Sequence, residues 1–201
     1  MGWQSYWKNM KVKTFGTIIL ALLLGSCVSP PSNPDNACSI FREKDGWFGG
    51  WYADAKKSEK RWGSSIPVMM AIMHQESRFV DDARPRRARF LGIPLWWRIS
   101  SSYGYSQAKT DTWRWYERSV GRNADRDDFD DAIDFIGWYN RKSHETNGIA
   151  LTDTYSLYLA YHEGHGGYKA GSYRNKDWLL KVAGSVRDRA IKYSQQLSSC
   201  K

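Results

Sequence analysis

The sequence predicts a mainly α domain, and three observations predict it. Apolar residues recur three and four positions apart in several separate stretches, residues that start and stop helices flank those stretches, and no sustained apolar–polar alternation asks for a sheet. Polar loops separate the helical stretches, and neither an internal repeat nor a shift in composition marks a second domain.

The N-terminal segment stands apart from that domain. Lys8, Lys11 and Lys13 precede an uncharged run from Thr14 to Ser26 whose core is Ile18-Ile19-Leu20-Ala21-Leu22-Leu23-Leu24, too short to span a bilayer and suited to a secretory signal. Met10 makes a more typical start for such a signal than Met1. The run ends in Leu24-Gly25-Ser26-Cys27, which resembles the lipobox of bacterial lipoproteins, where the cysteine becomes the lipidated first residue; an ordinary cleaved signal is the alternative. The expected organisation is a signal over 1–26, a lipidated tether rich in proline and serine over 27–37, and one folded domain over 38–201. Val28, where an aspartate is absent, favours the periplasmic face of the outer membrane if the envelope has two membranes. Lipidation of Cys27 leaves Cys38 and Cys200, at the two ends of the domain, as a disulfide in an exported protein or as two free thiols.

Five helices are expected within the domain. Over 66–78, Ser65 can cap, Pro67 suits the first turn, and Val68, Met69, Ile72 and Met73 supply one apolar stripe. A second helix runs from Ser106 to Ser119 and stops at Gly121. The third follows Asp128, with Phe129, Ala132, Ile133, Ile136 and Tyr139 at helical spacing and acidic residues at its start, where the helix dipole favours them. A fourth covers about Thr152 to His162. The fifth, after Asn175, places Leu179, Val182, Val186, Ala190, Tyr193 and Leu197 on one face. Between the first two lies 81–102, where Arg84, Arg86, Arg87, Arg89 and Arg98 surround Pro85, Pro94, Trp96 and Trp97. It is too proline-broken and basic for a core helix, and reads as a flap at the edge of a cleft or as a solvated loop. Its guanidinium groups suit carboxylates or phosphates.

A formal charge of +9 points to an anionic partner, but export removes nucleic acid, and no nucleic-acid motif is present. Eleven tryptophans and twelve tyrosines exceed what a core of this size requires. Trp96, Trp97, Trp113 and Trp115 fall near loops or helix surfaces, where flat rings either stack on sugar faces or simply pack.

The chemistry centres on Glu76. It lies four residues after Ile72, seven after Met69 and eight after Val68, so it continues the apolar stripe and turns inward. Desolvation there raises a carboxyl's pKa, and a carboxylic acid still protonated near neutrality can act as a general acid on a glycosidic oxygen. A solvated helix end, or pairing with Arg78, is the alternative. His162-Glu163-Gly164-His165 groups metal-ligating types, but zincin spacing requires histidines four apart on one helix face and the glycines interrupt the helix, so neither metal nor cofactor is expected.

Three segments occur in order: Glu76-Ser77, Gly104-Tyr105-Ser106-Gln107-Ala108, and Ala160-Tyr161-His162-Glu163-Gly164. Together, over about residues 62–170, they resemble the Glu-Ser, Gly-Leu-Met-Gln and Ala-Tyr-Asn-Ala-Gly motifs of the soluble lytic transglycosylases in the lysozyme-like superfamily. The resemblance implies a helical lysozyme-like domain with a glycan-binding cleft, acting as a monomer on peptidoglycan glycan strands. It implies Glu76 as the catalytic acid and then base, cutting between muramic acid and glucosamine with a 1,6-anhydro product. Ser77, Tyr105, Gln107, Tyr161 and His162 become substrate-binding positions, Gln107 facing the sugar and Tyr161 orienting Glu76. The chain departs from the pattern at Tyr105, Ser106, His162 and Glu163. Glu163 is a candidate second carboxylate, either raising the Glu76 pKa by repulsion or supporting hydrolysis. A hydrolytic muramidase and a non-catalytic peptidoglycan-binding lipoprotein are the competing functions.

Overall fold

Asn36 starts the folded domain, its side chain accepting the Ser39 N–H at 2.9 Å as the N-cap of α1 (Ala37–Lys44). The structure is a computed structural model that describes residues 29–46, 49–90 and 93–200, so the expected signal and Cys27 lie outside the described residues. A two-residue pair, β1 (Asp45–Gly46) with β2 (Gly49–Gly50), leads into α2 (Trp51–Trp62), which stops at Gly63 with a left-handed φ of 78°. Then come α3 (Ile66–Ser77), an antiparallel hairpin of β3 (Arg87–Phe90) and β4 (Ile93–Arg98), and α4 (Thr110–Val120). The last three are α5 (Phe129–Asn147), α6 (Thr154–Ala170) and α7 (Asp177–Ser199).

The α3 helix is the axis of the core. Val68 through His74 are all buried, so the stretch is covered on every side rather than along one stripe, as expected of a helix with neighbours all round. It packs against α2, α5 and α7, while α6 packs against α5 and α7. Buried Asp134 fastens α2 and α4 to α5 by accepting from Arg61 Nη1 at 3.1 Å, Trp62 Nε1 at 2.7 Å and the Tyr116 hydroxyl at 2.7 Å. Below it Trp51 stacks on Phe129 with centroids 4.0 Å apart, and Tyr105 meets Trp51 edge-on.

Several expectations need correcting. The second helix begins at Thr110, not Ser106, because residues 104–108 form a turn in which Gly104 and Gln107 have left-handed φ values of 74° and 50°. The fourth ends close to His162 as expected, at a break at Gly164 whose φ of 77° and ψ of 160° only glycine adopts readily, but a further helical stretch follows to Ala170. The 81–102 segment borders the cavity through Pro85 and Ser102, in keeping with a flap at the edge of a cleft, but it carries a β-hairpin that was not expected. Ser65 occupies the N-cap of α3 without a side-chain cap bond; Glu59 Oε1 accepts the Ile66 N–H at 3.1 Å instead. Trp113 is buried. The tether is not extended as far as residue 37: Pro31 is buried, Ser32 bonds Glu43, and the Tyr193 hydroxyl donates to the Pro34 carbonyl, which binds this segment to α1 and α7.

Cys38 and Cys200 form a disulfide, with Cα atoms 5.9 Å apart and a sequence separation of 162. It joins the start of α1 to the end of α7. A loop that long should stabilise the fold by up to roughly 5 kcal/mol in the chain-entropy model. Replacing both cysteines by alanine is therefore expected to lower the urea unfolding midpoint by an amount equivalent to about 2–5 kcal/mol; an unchanged midpoint would remove the bridge from the stability of the domain.

Candidate active site

Glu76 occupies the last turn of α3, and the backbone stops the helix directly behind it. Arg78 and Phe79 take left-handed φ values of 54° and 63°, a conformation that costs bulky side chains about 1 kcal/mol or more each. Full burial of the Phe79 ring, edge-on to His74, offsets that strain. The Ser77 hydroxyl donates to the Met73 carbonyl at 3.3 Å and accepts the Phe79 N–H at 3.1 Å. Ser77 thus ends the helix; it is buried and does not line the cleft, contrary to the expected sugar contact.

The Glu76 carboxyl opens into a cavity of about 390 Å³ lined also by Pro85, Ser102, Gln107, Tyr139, Tyr161, His162 and Glu163. Glu76 keeps a partial opening to solvent there, where Ser102, Gln107, Lys109 and Thr112 share the lining with the rings of Phe135, Tyr139 and Tyr161. Burial pushes its carboxyl up to about 7, and the only opposing influence is hydrogen bonding from the Tyr158 phenol. Burial and the nearby carboxyl together hold the Tyr158 hydroxyl protonated, so Tyr158 can serve only as a donor to the ionised acid.

Tyr161 departs from the expected role. It lines the cavity beside Glu76, but its hydroxyl donates to the Ser106 carbonyl at 2.7 Å and so ties α6 to the second motif instead of orienting the acid. Tyr158, one turn earlier on α6, takes that place. Tyr105 is also reassigned: 1% exposed and packed among Trp51 and Phe129, it belongs to the core and not to a sugar site. Gln107 does reach the cavity. Its Nε2 donates to the carbonyls of Ala83 and Gly104 at 2.9 and 2.8 Å, which fastens the base of the hairpin segment and leaves its amide oxygen as the group for a ligand. Gly104 is fixed by the same turn: a Cβ there would collide with the Arg126 carbonyl.

Glu163 shares the cavity without sharing the chemistry. Lys176 Nζ reaches both its oxygens at 2.8 Å, His162 Nδ1 lies 3.0 Å away, and the Ser172 hydroxyl donates to it. Burial alone would raise its pKa, but Lys176, Ser172 and His162 outweigh that and hold it at about 2. A carboxylate so committed stays ionised and is a poor base for activating water. The Glu76 shift comes from burial, not from repulsion by Glu163. The break at Gly164 gives His162 and His165 separate partners. His162 meets Glu163 and the edge of Trp178, whereas His165 stacks on Tyr139 and bonds Ser143 Oγ at 3.0 Å.

Sequence reasoning missed Tyr158 and the aromatic wall of Phe135 and Tyr139. The available signal was helical spacing: Tyr158 precedes Tyr161 by three residues and therefore shares its face.

A family model described as the transglycosylase SLT domain matches residues 15–200 of the chain. Neither the curated proteins nor the solved structures contain a match.

The raised Glu76 pKa has a sign that can be measured. The ordinary value is 4.5 and the folded value about 7, so the neutral acid is accommodated at no electrostatic cost below 4.5 and stability is lost as pH rises through 7. Glu76→Gln removes that loss. Urea denaturation is expected to show the variant equal to wild type near pH 4 and more stable near pH 8, by up to roughly 3 kcal/mol. The same difference at both pH values would contradict the buried-acid assignment.

Proposed function

The chain belongs to the transglycosylase SLT domain family, and from that premise we propose that it is a lytic transglycosylase cleaving the β-1,4 bond between muramic acid and glucosamine in peptidoglycan. The observation that carries the proposal is a carboxyl, Glu76, whose burial raises its pKa to about 7, at the wall of a cavity whose other carboxylate is already committed to Lys176.

The chemistry follows from those two states. With a pKa near 7, Glu76 holds a proton at neutral pH and donates it to the glycosidic oxygen as the bond to C1 of the muramyl residue breaks. The carboxylate left behind then takes the proton from the muramyl C6 hydroxyl, and O6 closes on C1 to give the 1,6-anhydro ring. Glu76 returns to its protonated form, no water is consumed, and the two products together have the atoms of the substrate. Tyr158 steadies the acid while it is ionised, since its phenol can donate to the carboxylate. An inverting hydrolase would use a second carboxylate to activate water. The one at hand, Glu163, is ion-paired and held at about 2, which favours the transglycosylase over the muramidase reading. A pure binding protein would gain nothing from a buried acid, which costs stability above neutral pH.

The same reading puts the protein in the cell envelope, exported by residues 1–26 and anchored through lipidated Cys27. A fatty-acid label that persisted in Cys27→Ser would remove that anchor.

Digestion of purified peptidoglycan with the chain from residue 28 onward, read by mass spectrometry, tests the activity. Muropeptides one water lighter than hydrolytic products are expected, with kcat/KM falling about tenfold per pH unit above about 7 and Glu76→Gln lowering it by at least about a hundredfold. Reducing-end products would establish hydrolysis, and no release would leave a binding protein.

A further inference from the structure

The basic hairpin is unexplained by the cleavage chemistry. Arg84, Arg86, Arg87 and Arg98 are all exposed, and among the described residues no carboxylate forms an ion pair with any of them. Arg87 and Arg98 are direct cross-strand partners in the β3–β4 ladder, an arrangement of like charges that destabilises a hairpin left to itself. The segment is nevertheless fastened in place. Arg98 Nη1 donates to the Pro85 carbonyl at 2.6 Å, the Arg84 guanidinium lies 4.2 Å over the Tyr103 ring, and Gln107 holds the Ala83 carbonyl. Repelling cations on an anchored platform define a surface that gains stability when an anion arrives.

Its position says which anion. Pro85 and Ser102, at the two ends of the hairpin segment, line the same cavity as Glu76, so the arginines flank the mouth of the cleft. A glycan strand lying in that cleft is itself uncharged along its sugars. Its negative charge sits on the carboxylates of the peptide stems that leave the lactyl groups of its muramyl residues and project out of the cleft. Guanidinium forks match carboxylates bidentately, which a surface chosen only for positive potential would not require. Trp96, 83% exposed, and Ile99, 70% exposed, extend the platform with apolar area for the aliphatic parts of such a stem.

We infer that the arginine-lined hairpin of residues 84–98 is a docking surface for the stem-peptide carboxylates of the peptidoglycan strand held in the cleft. This rests on the reading of that cleft as a glycan site. The protein then favours peptide-bearing glycan over naked glycan, and the preference weakens with ionic strength because the contacts are exposed.

The test uses binding, so that it does not depend on turnover. Glu76→Gln protein is titrated with intact sacculi, with bead-immobilised glycan strands freed of their stems by an amidase and capped as methylamides at the lactyl carboxylates so exposed, and with phosphatidylglycerol vesicles, and each is compared with the triple variant Glu76→Gln/Arg86→Gln/Arg87→Gln. Arg86 and Arg87 hold the hairpin base through their backbone, the Arg86 carbonyl accepting the Ile99 N–H at 3.4 Å and Arg87 pairing with Arg98, so side-chain replacement leaves those contacts in place, and circular dichroism checks that the fold is retained. The triple variant should bind intact sacculi about tenfold more weakly, in keeping with two exposed charge-assisted contacts, and the capped stem-free glycan as well as the parent does. An equal loss on both substrates, no loss on intact sacculi, or a loss seen only on vesicles containing phosphatidylglycerol would overturn the inference, the last by assigning the surface to a membrane. If the active protein released no muropeptides while stem-dependent binding persisted, the catalytic reading would fail and this one would stand. If anhydro products appeared and binding ignored the stems, only this inference would fall.

Discussion

Burial of one carboxyl at the end of a core helix is the constraint around which the domain is arranged. Glu76 can be protonated near neutrality only because α3 runs through the interior and halts one residue past it, before Arg78 and Phe79 turn left-handed. Phe79 is buried just past the helix end, Tyr139 and Tyr161 line the cavity on which Glu76 opens, and Tyr158 hydrogen-bonds its carboxyl. Each of those residues is held by something else: Phe79 by His74, Tyr161 by the Ser106 carbonyl, and Tyr139 by stacking on His165. The left-handed strain and the buried acid are both costs to stability, and the covalent closure from Cys38 to Cys200 offsets part of them at the opposite ends of the fold.

The two carboxyls of the cavity show how environment divides identical groups. Glu76 meets no cation and stays neutral, whereas Glu163 meets Lys176, His162 and a serine hydroxyl and stays charged. Pushing two pKa values apart in this way suits one residue to the proposed proton transfer and leaves the other to fix the backbone around the Gly164 break. The ion pair also keeps Lys176, the residue that precedes α7, against α6, so the part of the cavity wall that holds Glu163 is tied to the C-terminal helix.

What the sequence made legible was position along the chain rather than the aim of each side chain. Glu76 was readable because helical spacing alone decides which way an α3 residue turns, and the Asp128 start and the glycine stop of α4 were readable because caps are local. Tyr105, Ser77 and Tyr161 lie in segments that do border the site, but which way each side chain points depends on tertiary partners. Trp51 and Phe129 take Tyr105, the Phe79 N–H takes Ser77, and the Ser106 carbonyl takes Tyr161. Tyr158 escaped notice because an aromatic residue in an apolar helix ordinarily means core, and only the arrival of α3 beside it gives its hydroxyl a function. The β3–β4 hairpin was hidden by its prolines and arginines, which weaken the alternation that marks a strand; Pro94 is accommodated beside a register irregularity. Both α1 and α2 carry mixed sequences whose pattern is plain only once Asn36 and Gly63 are seen as their limits.

Direct titration of the Glu76 carboxyl is the measurement closest to the central claim. Isotope-edited infrared or carbon NMR spectroscopy of the folded protein, with Glu76→Gln to assign the signal, follows that one group as pH is raised. The account predicts that it remains a neutral acid through pH 5 and 6 and ionises at about 7. Ionisation at the ordinary carboxyl value near 4.5 would show that the interior does not protect the proton, and Glu76 could not be the acid on which the proposed reaction depends.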